Sequence, residues 1–460
     1  MRANQKSLSM IVALAVSLAS AQTLTLESAV LEAMKSSTQA KIYDEKLIRS
    51  REFEHEKRGS LYPTVSLYGN AGRGGQLVQG VTTSLDTIVD TTTRYGLRNS
   101  PFASNQVSNL YSYGIQASGP LFTFGKVSTA IDMASLQDEA VRATVSRNKQ
   151  ELQLQVIDVY SNAVLAAAKV DVLKRSRDRA NETYAKLDRD FKAGSGQKSD
   201  VLMAYSSLKS LEPQIITAER DADAARRNLN RLLGRDASDN ATLDTSASFA
   251  SLEQDAQPSR TNALDAAYRS RTDLQALQVS ARVYEGTSHI FEANYYPTLV
   301  YQGKLGIQAY ELKQLSDWKY REWSVGVGFT WTIFDGLGSN GANKAQAAEW
   351  KSDSRVFQYQ SEELRRSIEI DVDMALKDRV AADTSLQAAK DGRDAASEAL
   401  TLVRANYPSG SMRLTDVLSA EDGLRNAELS VLSARFNRTR AMAKLRQVQG
   451  LDLVPAQEAK

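Results

Sequence analysis

The 460-residue sequence has no cysteine and only two histidines, His55 and His289. Without thiols there is no disulfide framework, no thiolate metal site and no N-terminal acylated cysteine to anchor the chain to lipid. Two histidines leave little material for acid–base or zinc chemistry, so the composition speaks against an enzyme and names no cofactor or metal. Charge of one sign is also missing. The 57 basic residues face 55 acidic ones, scattered along the chain, and leave no footprint for nucleic acid. Beyond the N-terminus no apolar run is long enough to cross a membrane as a helix.

What is present begins with a leader. Arg2 and Lys6 precede an apolar run from Met10 to Leu18, followed by Ala19-Ser20-Ala21 before Gln22. A charged start, a short apolar centre and a small-x-small end predict a secretory signal over 1–21. In an exported chain without spanning helices, any membrane crossing falls to β-strands.

Three stretches occur twice. LYPTVSLYG from Leu61 matches YYPTLVYQG from Tyr295, so Pro63 and Pro297 correspond at 297 − 63 = 234. YSYGIQASGPLF from Tyr111 matches WSVGVGFTWTIF from Trp323 at 323 − 111 = 212. FKAGSGQKSDVLMA from Phe191 matches YPSGSMRLTDVLSA from Tyr407 at 407 − 191 = 216. The fall from 234 to 212 puts an enlarged Gly/Thr/Ser-rich loop, Asn70 to Leu110, in the first copy, on the outer side of the membrane. The expected organisation is a repeat over 22–234, a connector over 235–261, a second repeat over 262–450 and a tail over 451–460.

Inside each copy the hydrophobic period changes. Trp323, Val325, Val327, Phe329, Trp331 and Ile333 alternate with Ser324, Gly326, Gly328, Thr330 and Thr332, a period of two with aromatics at the ends. Such a segment is suited to a lipid-facing barrel strand. Four strands are expected, as hairpins over 61–122 and 295–334, with Pro63 and Pro297 as the breakers at barrel entry. Four strands cannot close a barrel and open edges are excluded from lipid, so the chain must oligomerise, as a dimer, trimer or tetramer by strand arithmetic alone.

The rest is helical in period. Leu208, Leu211, Ile215, Ala218, Ala222, Ala225, Leu229 and Leu232 step by three and four, and Leu424, Ala427, Val431, Ala434, Arg438, Ala441, Leu445 and Val448 repeat those steps. This is a heptad seam with one break, Arg438, and Pro213 is expected to loosen its helix. The helices over 125–192 and 340–406 would each extend roughly 100 Å, too far and too polar for lipid, so they are expected to project into water as a coiled-coil tube.

The candidate sites divide accordingly. Gly336 to Gly341 spells a dinucleotide-binding GxGxxG, but the strand before it alternates and the first copy has only Phe124-Gly125-Lys126 there, so it reads as a flexible corner. His55 and His289 correspond at the 234 offset and read as polar residues of the helix-to-barrel junction. Gly194 and Gly410 supply the turns at 193–199 and 408–415, Ser199 and Thr415 are expected to cap the returning helices, and Asp200 and Asp416 sit in their first turns. In an oligomer these acids form rings at a narrow mouth.

At these residues the chain resembles the TolC-like outer-membrane efflux proteins. The duplicated helix, Tyr-Pro strand, second strand, long helix, glycine turn and Asp-Val-Leu cover nearly all of the mature sequence. The resemblance implies an α+β membrane protein: a homotrimer whose 12-stranded β-barrel, four strands per chain, continues into a long periplasmic α-helical coiled-coil barrel built by internal duplication. It also implies an equatorial belt from the connector, Arg235 to Arg260, and the tail. By position, Asp200 matches the acid of the first tip, and Tyr407, Gly410 and Asp416 match the second. The base that some members carry falls on Met412, so Arg413 stands in for it, and Ser419 replaces a further acid. The implied function is a passive exit duct in the outer membrane, serving a tripartite efflux pump or type I secretion system. A periplasmic adaptor would touch the turns at Gly194 and Gly410 and couple them to an inner-membrane pump of RND, ABC or MFS type. The alternative is an envelope scaffold or adhesin built on the same coiled coils.

Overall fold

In the computed structural model the described residues are 23–77, 105–244, 257–336 and 341–453. The leader, most of the enlarged loop, part of the connector, Leu337 to Asn340 of the glycine-rich corner and the end of the tail lie outside them. The first repeat contains α1 (Leu26–Ser36), α2 (Thr38–Gly59), β1 (Thr64–Leu77), β2 (Asn105–Phe122), α3 (Lys126–Lys192) and α4 (Lys198–Leu233). The second contains α5 (Arg260–Ser270), α6 (Thr272–Glu292), β3 (Thr298–Ala309), β4 (Arg321–Thr330), α7 (Ala342–Asn406) and α8 (Leu414–Val448). Pro63 and Pro297 each stand one residue before a strand, where a missing N–H costs no ladder bond. Among the described residues no helix is long and apolar enough to cross a membrane.

Two compact units emerge. One draws on Met1–Ser50, Glu139–Val279 and Phe357–Lys460, the other on Arg51–Asp138 and Ser280–Val356.

The first unit is helical, and its small cores obey the duplication. Val170, Leu173, Ile215 and Ala218 form one cluster, and Leu386, Val431 and Ala434 form another at the 216-residue offset. The larger cores gather Leu26, Val30, Ile157, Tyr160, Leu229 and Leu233 in one place, and Ala267, Leu274, Ile368, Val372, Leu445 and Val448 in another. The seam positions Leu211, Ile215, Ala218 and Leu229 are buried as the three-four spacing requires, and α4 runs continuously through Pro213.

Both returning helices end alike. Arg235 N–H reaches the Asn230 carbonyl at 2.9 Å, and Leu451 N–H reaches the Arg446 carbonyl at 3.0 Å. The residue between is a glycine at φ +79° in Gly234 and φ +71° in Gly450, the left-handed close that side chains resist. A Cβ on Gly234 would stand 2.7 Å from the Ser36 carbonyl oxygen, and one on Gly450 would stand 2.7 Å from that of Ser270. The α8 end is held further by α3, since Arg147 Nη1 donates to the Gln447 carbonyl at 3.0 Å and Gln150 Nε2 to that of Gly450 at 2.9 Å. The Gln447 carbonyl also accepts from the Gly450 N–H at 3.0 Å, so the end of α8 is tied both within its own turn and to α3.

The second unit is built on one antiparallel sheet in the order β1-β2-β3-β4. Its cross-strand rows put one kind of chemistry on each face. Leu67, Ile115, Leu305 and Trp323 form one row, and Val65, Ala117, Gly303 and Val325 form the next. This face is apolar and open, with Leu67 83%, Val325 81% and Trp323 72% exposed, which is the arrangement for contact with hydrocarbon. The other face carries Ser66, Gln116, Lys304 and Ser324 in one row. β4 ends at Thr330, sooner than the alternation predicts. There the Trp331 indole donates to the Tyr295 carbonyl at 2.9 Å, and the chain turns toward α7. Asp335 holds that corner, accepting from the Asn343 N–H at 2.9 Å.

Gly450→Ala is expected to lower the apparent Tm of the detergent-solubilised protein, because it strains a left-handed position and crowds Ser270. Gly423→Ala, inside α8 with open space around it, is expected to be neutral or to stabilise by about 0.5–1 kcal/mol, and thermal unfolding of the pair checks both.

Candidate gate at the helical hairpin turns

The repeated glycine motif folds into two turns of one kind. Gly194, at φ +81°, closes the end of α3 with its N–H on the Phe191 carbonyl at 2.9 Å. Gly410, at φ +75°, does the same after α7, with its N–H on the Tyr407 carbonyl at 3.0 Å. The returning helices start at Lys198 and Leu414, so Ser199 and Thr415 lie inside the first turn and do not occupy the capping position expected for them. Gln197 precedes α4 without a side-chain cap. In α8 the acid provides the cap instead, as Asp416 Oδ2 accepts from the Arg413 N–H at 2.8 Å.

An apolar cluster draws the two turns together. Leu187, Ala204 and Leu414 are buried there, with Tyr184, Val201, Tyr407 and Leu418 packed against them. Above it the Tyr407 hydroxyl donates to Asp200 Oδ2 at 3.4 Å, joining the turn that follows α7 to the first turn of α4. Burial pushes the Tyr407 phenol up from its ordinary value, and the charge of Asp200 and the hydrogen bond to it push the same way. The phenol therefore stays protonated and keeps its donor. Of the four residues expected at the constriction, one chain brings together Tyr407 and Asp200 directly, and Arg413 and Asp416 as a cap. The Arg413 guanidinium pairs with no carboxylate among the described residues of its own chain.

Deeper in the bundle lies a tie that the sequence reading did not single out. The Glu421 carboxylate, 4% exposed, accepts from Arg404 Nη2 at 2.7 Å and from the Thr183 hydroxyl at 2.9 Å. One acid of α8 thereby holds the ends of α3 and α7. Arg179 of α3 adds an ion pair to Glu428 of α8 at 3.4 Å. The seam did not point to it, because continuing the alternation back from Leu424 takes a step of four to Ala420, one residue short of Glu421. The polar residue within the seam, Arg438, is likewise explained by a partner on another helix. Arg438 donates to Asp383 Oδ1 at 2.5 Å, and Arg379, 6% exposed, to Oδ2 at 3.0 Å. Burial pushes the Asp383 carboxyl up, but the hydrogen bonds and charges of the two arginines outweigh it and hold the group below the usual carboxylate range.

The described residues contain no group of histidines and acids suited to holding a metal. What the turns offer is a closed junction between two helical hairpins, held by hydrogen bonds that helix movement would break.

A family model described as outer membrane efflux protein matches residues 55–235 and 263–451. The chain belongs to the outer membrane efflux protein family. The efflux protein is 24% identical to the alkaline protease secretion protein AprF of Pseudomonas aeruginosa, over 87% of this chain and 79% of AprF. It is 22% identical to the outer membrane protein TolC of Vibrio cholerae, over 79% of this chain and 81% of TolC. Its fold matches the MtrE outer membrane channel of Neisseria gonorrhoeae, solved in an open state, with a TM-score of 0.72 and 23% identity, over 93% of this chain and 89% of MtrE. This membership makes the protein an outer-membrane channel.

Glu421→Ala leaves Arg404 and Thr183 without their acceptor. It is expected to loosen the junction by about 1–3 kcal/mol, read as faster amide exchange around 180–204 and 400–424, with Glu421→Gln milder. Asp383 has a depressed carboxyl in the folded state, so its contribution is present above the unfolded value and lost as pH falls through the folded one. Asp383→Asn is expected to lower the apparent Tm near neutral pH, with the gap to the parent closing below about pH 4.

Proposed function

We propose that three copies of this chain form the exit duct of a tripartite efflux pump or a type I secretion system, opened at its hairpin turns by a periplasmic adaptor. Among the described residues the four-stranded sheet leaves the outer edges of β1 and β4 unpaired, and unpaired edges are excluded from hydrocarbon. Three such sheets supply twelve strands, within the range of closed outer-membrane barrels. The helices then contribute the periplasmic tube, and the turns at Gly194 and Gly410 are the surface an adaptor reaches.

The observation that carries the gate is the Tyr407–Asp200 hydrogen bond above the apolar cluster of Leu187, Ala204 and Leu414. It joins the two hairpins at their turns, and Glu421 joins them again further in. The outer tie lies at the limit of hydrogen-bond length, where little energy is needed to part it. Asp200 and Asp416 place negative charge at the mouth, and Arg413, unpaired among the described residues of its own chain, is the group available to an acid of a neighbouring copy. The reading assigns no catalysis and no cofactor to the chain. The inner-membrane partner is a pump of RND, ABC or MFS type, and AprF, whose name assigns it to protease secretion, supports the secretion arm of the proposal.

Planar-bilayer recording tests it. Asp200→Ala combined with Tyr407→Phe is expected to raise single-channel conductance and the fraction of time open, and Asp200→Ala with Asp416→Ala to raise it while weakening cation preference. Conductance equal to the parent in both would remove these residues from the gate.

A further inference from the structure

The polar face of the sheet carries little charge. Along the four strands it presents Thr64, Ser66, Gln116, Ser118, Gln302 and Ser324, with glycine at several of the remaining positions. Arg73 and Arg321 fall in register on the opposite, apolar face. Among the strand residues, charge on the polar face is confined to Lys304 and Glu322, and these two are paired, Nζ to Oε1 at 2.5 Å.

The pair is braced. Tyr68 Oη donates to the same Glu322 oxygen at 3.1 Å, and Lys304 Nζ lies 4.7 Å from the centre of the Tyr68 ring. Room for that tyrosine comes from two glycines facing each other across β2 and β3. A Cβ on Gly114 would lie 2.8 Å from Tyr68 Oη and 2.6 Å from Gly306 Cα, and one on Gly306 would collide with both Tyr68 Oη and the Tyr113 carbonyl oxygen. All four strands thus contribute to holding one lysine against one glutamate on an otherwise neutral wall. Stability alone does not account for the pair, because partly exposed ion pairs contribute little. Neutralisation does. Three unpaired lysines in a trimer would line the wall with one sign of charge and favour cargo of the other.

We propose that the duct wall is built electrically neutral, with Glu322 cancelling Lys304 in a Tyr68-braced pair, so that the barrel passes solutes of either charge and leaves selection by charge to the periplasmic mouth. The inference rests on the reading above that this face lines a water-filled duct. It makes Lys304 and Glu322 the residues that keep the barrel indifferent to the charge of its cargo, and Tyr68 their positioning residue.

Because the chain has no cysteine, Gln116→Cys introduces a single thiol, exposed and directly opposite Lys304 in register. The full-length protein in liposomes is treated with an anionic sulfonatoethyl and a cationic trimethylammonium-ethyl methanethiosulfonate, and the ratio of their rates reports the local potential without passing the gate. The salt is held near 10 mM, where screening acts over about 30 Å. With the pair intact the ratio is expected to match that of a small thiol in solution. Glu322→Gln is expected to shift it toward the anionic reagent by about two- to five-fold, Lys304→Gln to shift it as far the other way, and the double variant to restore it. A ratio unmoved by Glu322→Gln overturns the inference while leaving the duct reading intact, whereas a thiol reached by neither reagent overturns both. Should the single variants fail to assemble, Lys304→Glu with Glu322→Lys retains a neutral pair, and any departure of its ratio from the parent overturns the inference.

Discussion

In hydrocarbon there is no water to satisfy a peptide group, and this constraint shapes the whole chain. It forbids the polar helices from entering the bilayer and leaves the crossing to strands. Four strands cannot satisfy their own outer edges, so the membrane unit is incomplete in one chain, and closure by copies follows from the same requirement. The sheet's two-faced chemistry follows as well. Leu67, Ile115, Leu305 and Trp323 make a row for lipid, and their alternates make a hydrated wall. Even the paired charges fit, since a lone lysine on that wall would act on everything that passes.

In the helical unit the governing balance is between packing and release. Apolar clusters such as Leu187 with Ala204 and Leu414 bring the hairpins together without direction, and alanine seams let the helices approach closely. Direction comes from a few polar ties in and beside the seams. Glu421 holds Arg404 and Thr183, and Asp383 holds Arg438 and Arg379. Such ties specify one arrangement but contribute modest net stability, because each replaces bonds to water. In the proposed duct such a junction holds one closed state and yields to a partner that binds the open one better.

Much of the fold was legible because its periods are simple. The 216-residue echo located both turns, and the glycines fell where left-handed backbone was required. The capping residues were misplaced by the same reasoning. Ser199 and Thr415 are favoured caps by type, yet the caps fall two positions earlier at Gln197 and Arg413, and in α8 the carboxylate of Asp416 supplies the hydrogen bond from N3. Helix ends are set by competition among several adjacent residues, which local preference resolves poorly. Arg438 looked like a flaw in a heptad because its partner Asp383 lies on another helix.

Element types, the duplication, the lack of a spanning helix beyond the leader and the family resemblance could all be read from the primary structure, because each is written in local periodicity and spacing. That β2 pairs with β3 and so joins the two copies in one sheet, that Tyr407 meets Asp200, and that Tyr68 braces Lys304 against Glu322 emerged from the three-dimensional packing alone. The reason is physical. A side chain's periodicity fixes the face it occupies, but its partner across a sheet or between helices depends on register, and register is settled by the simultaneous packing of distant segments.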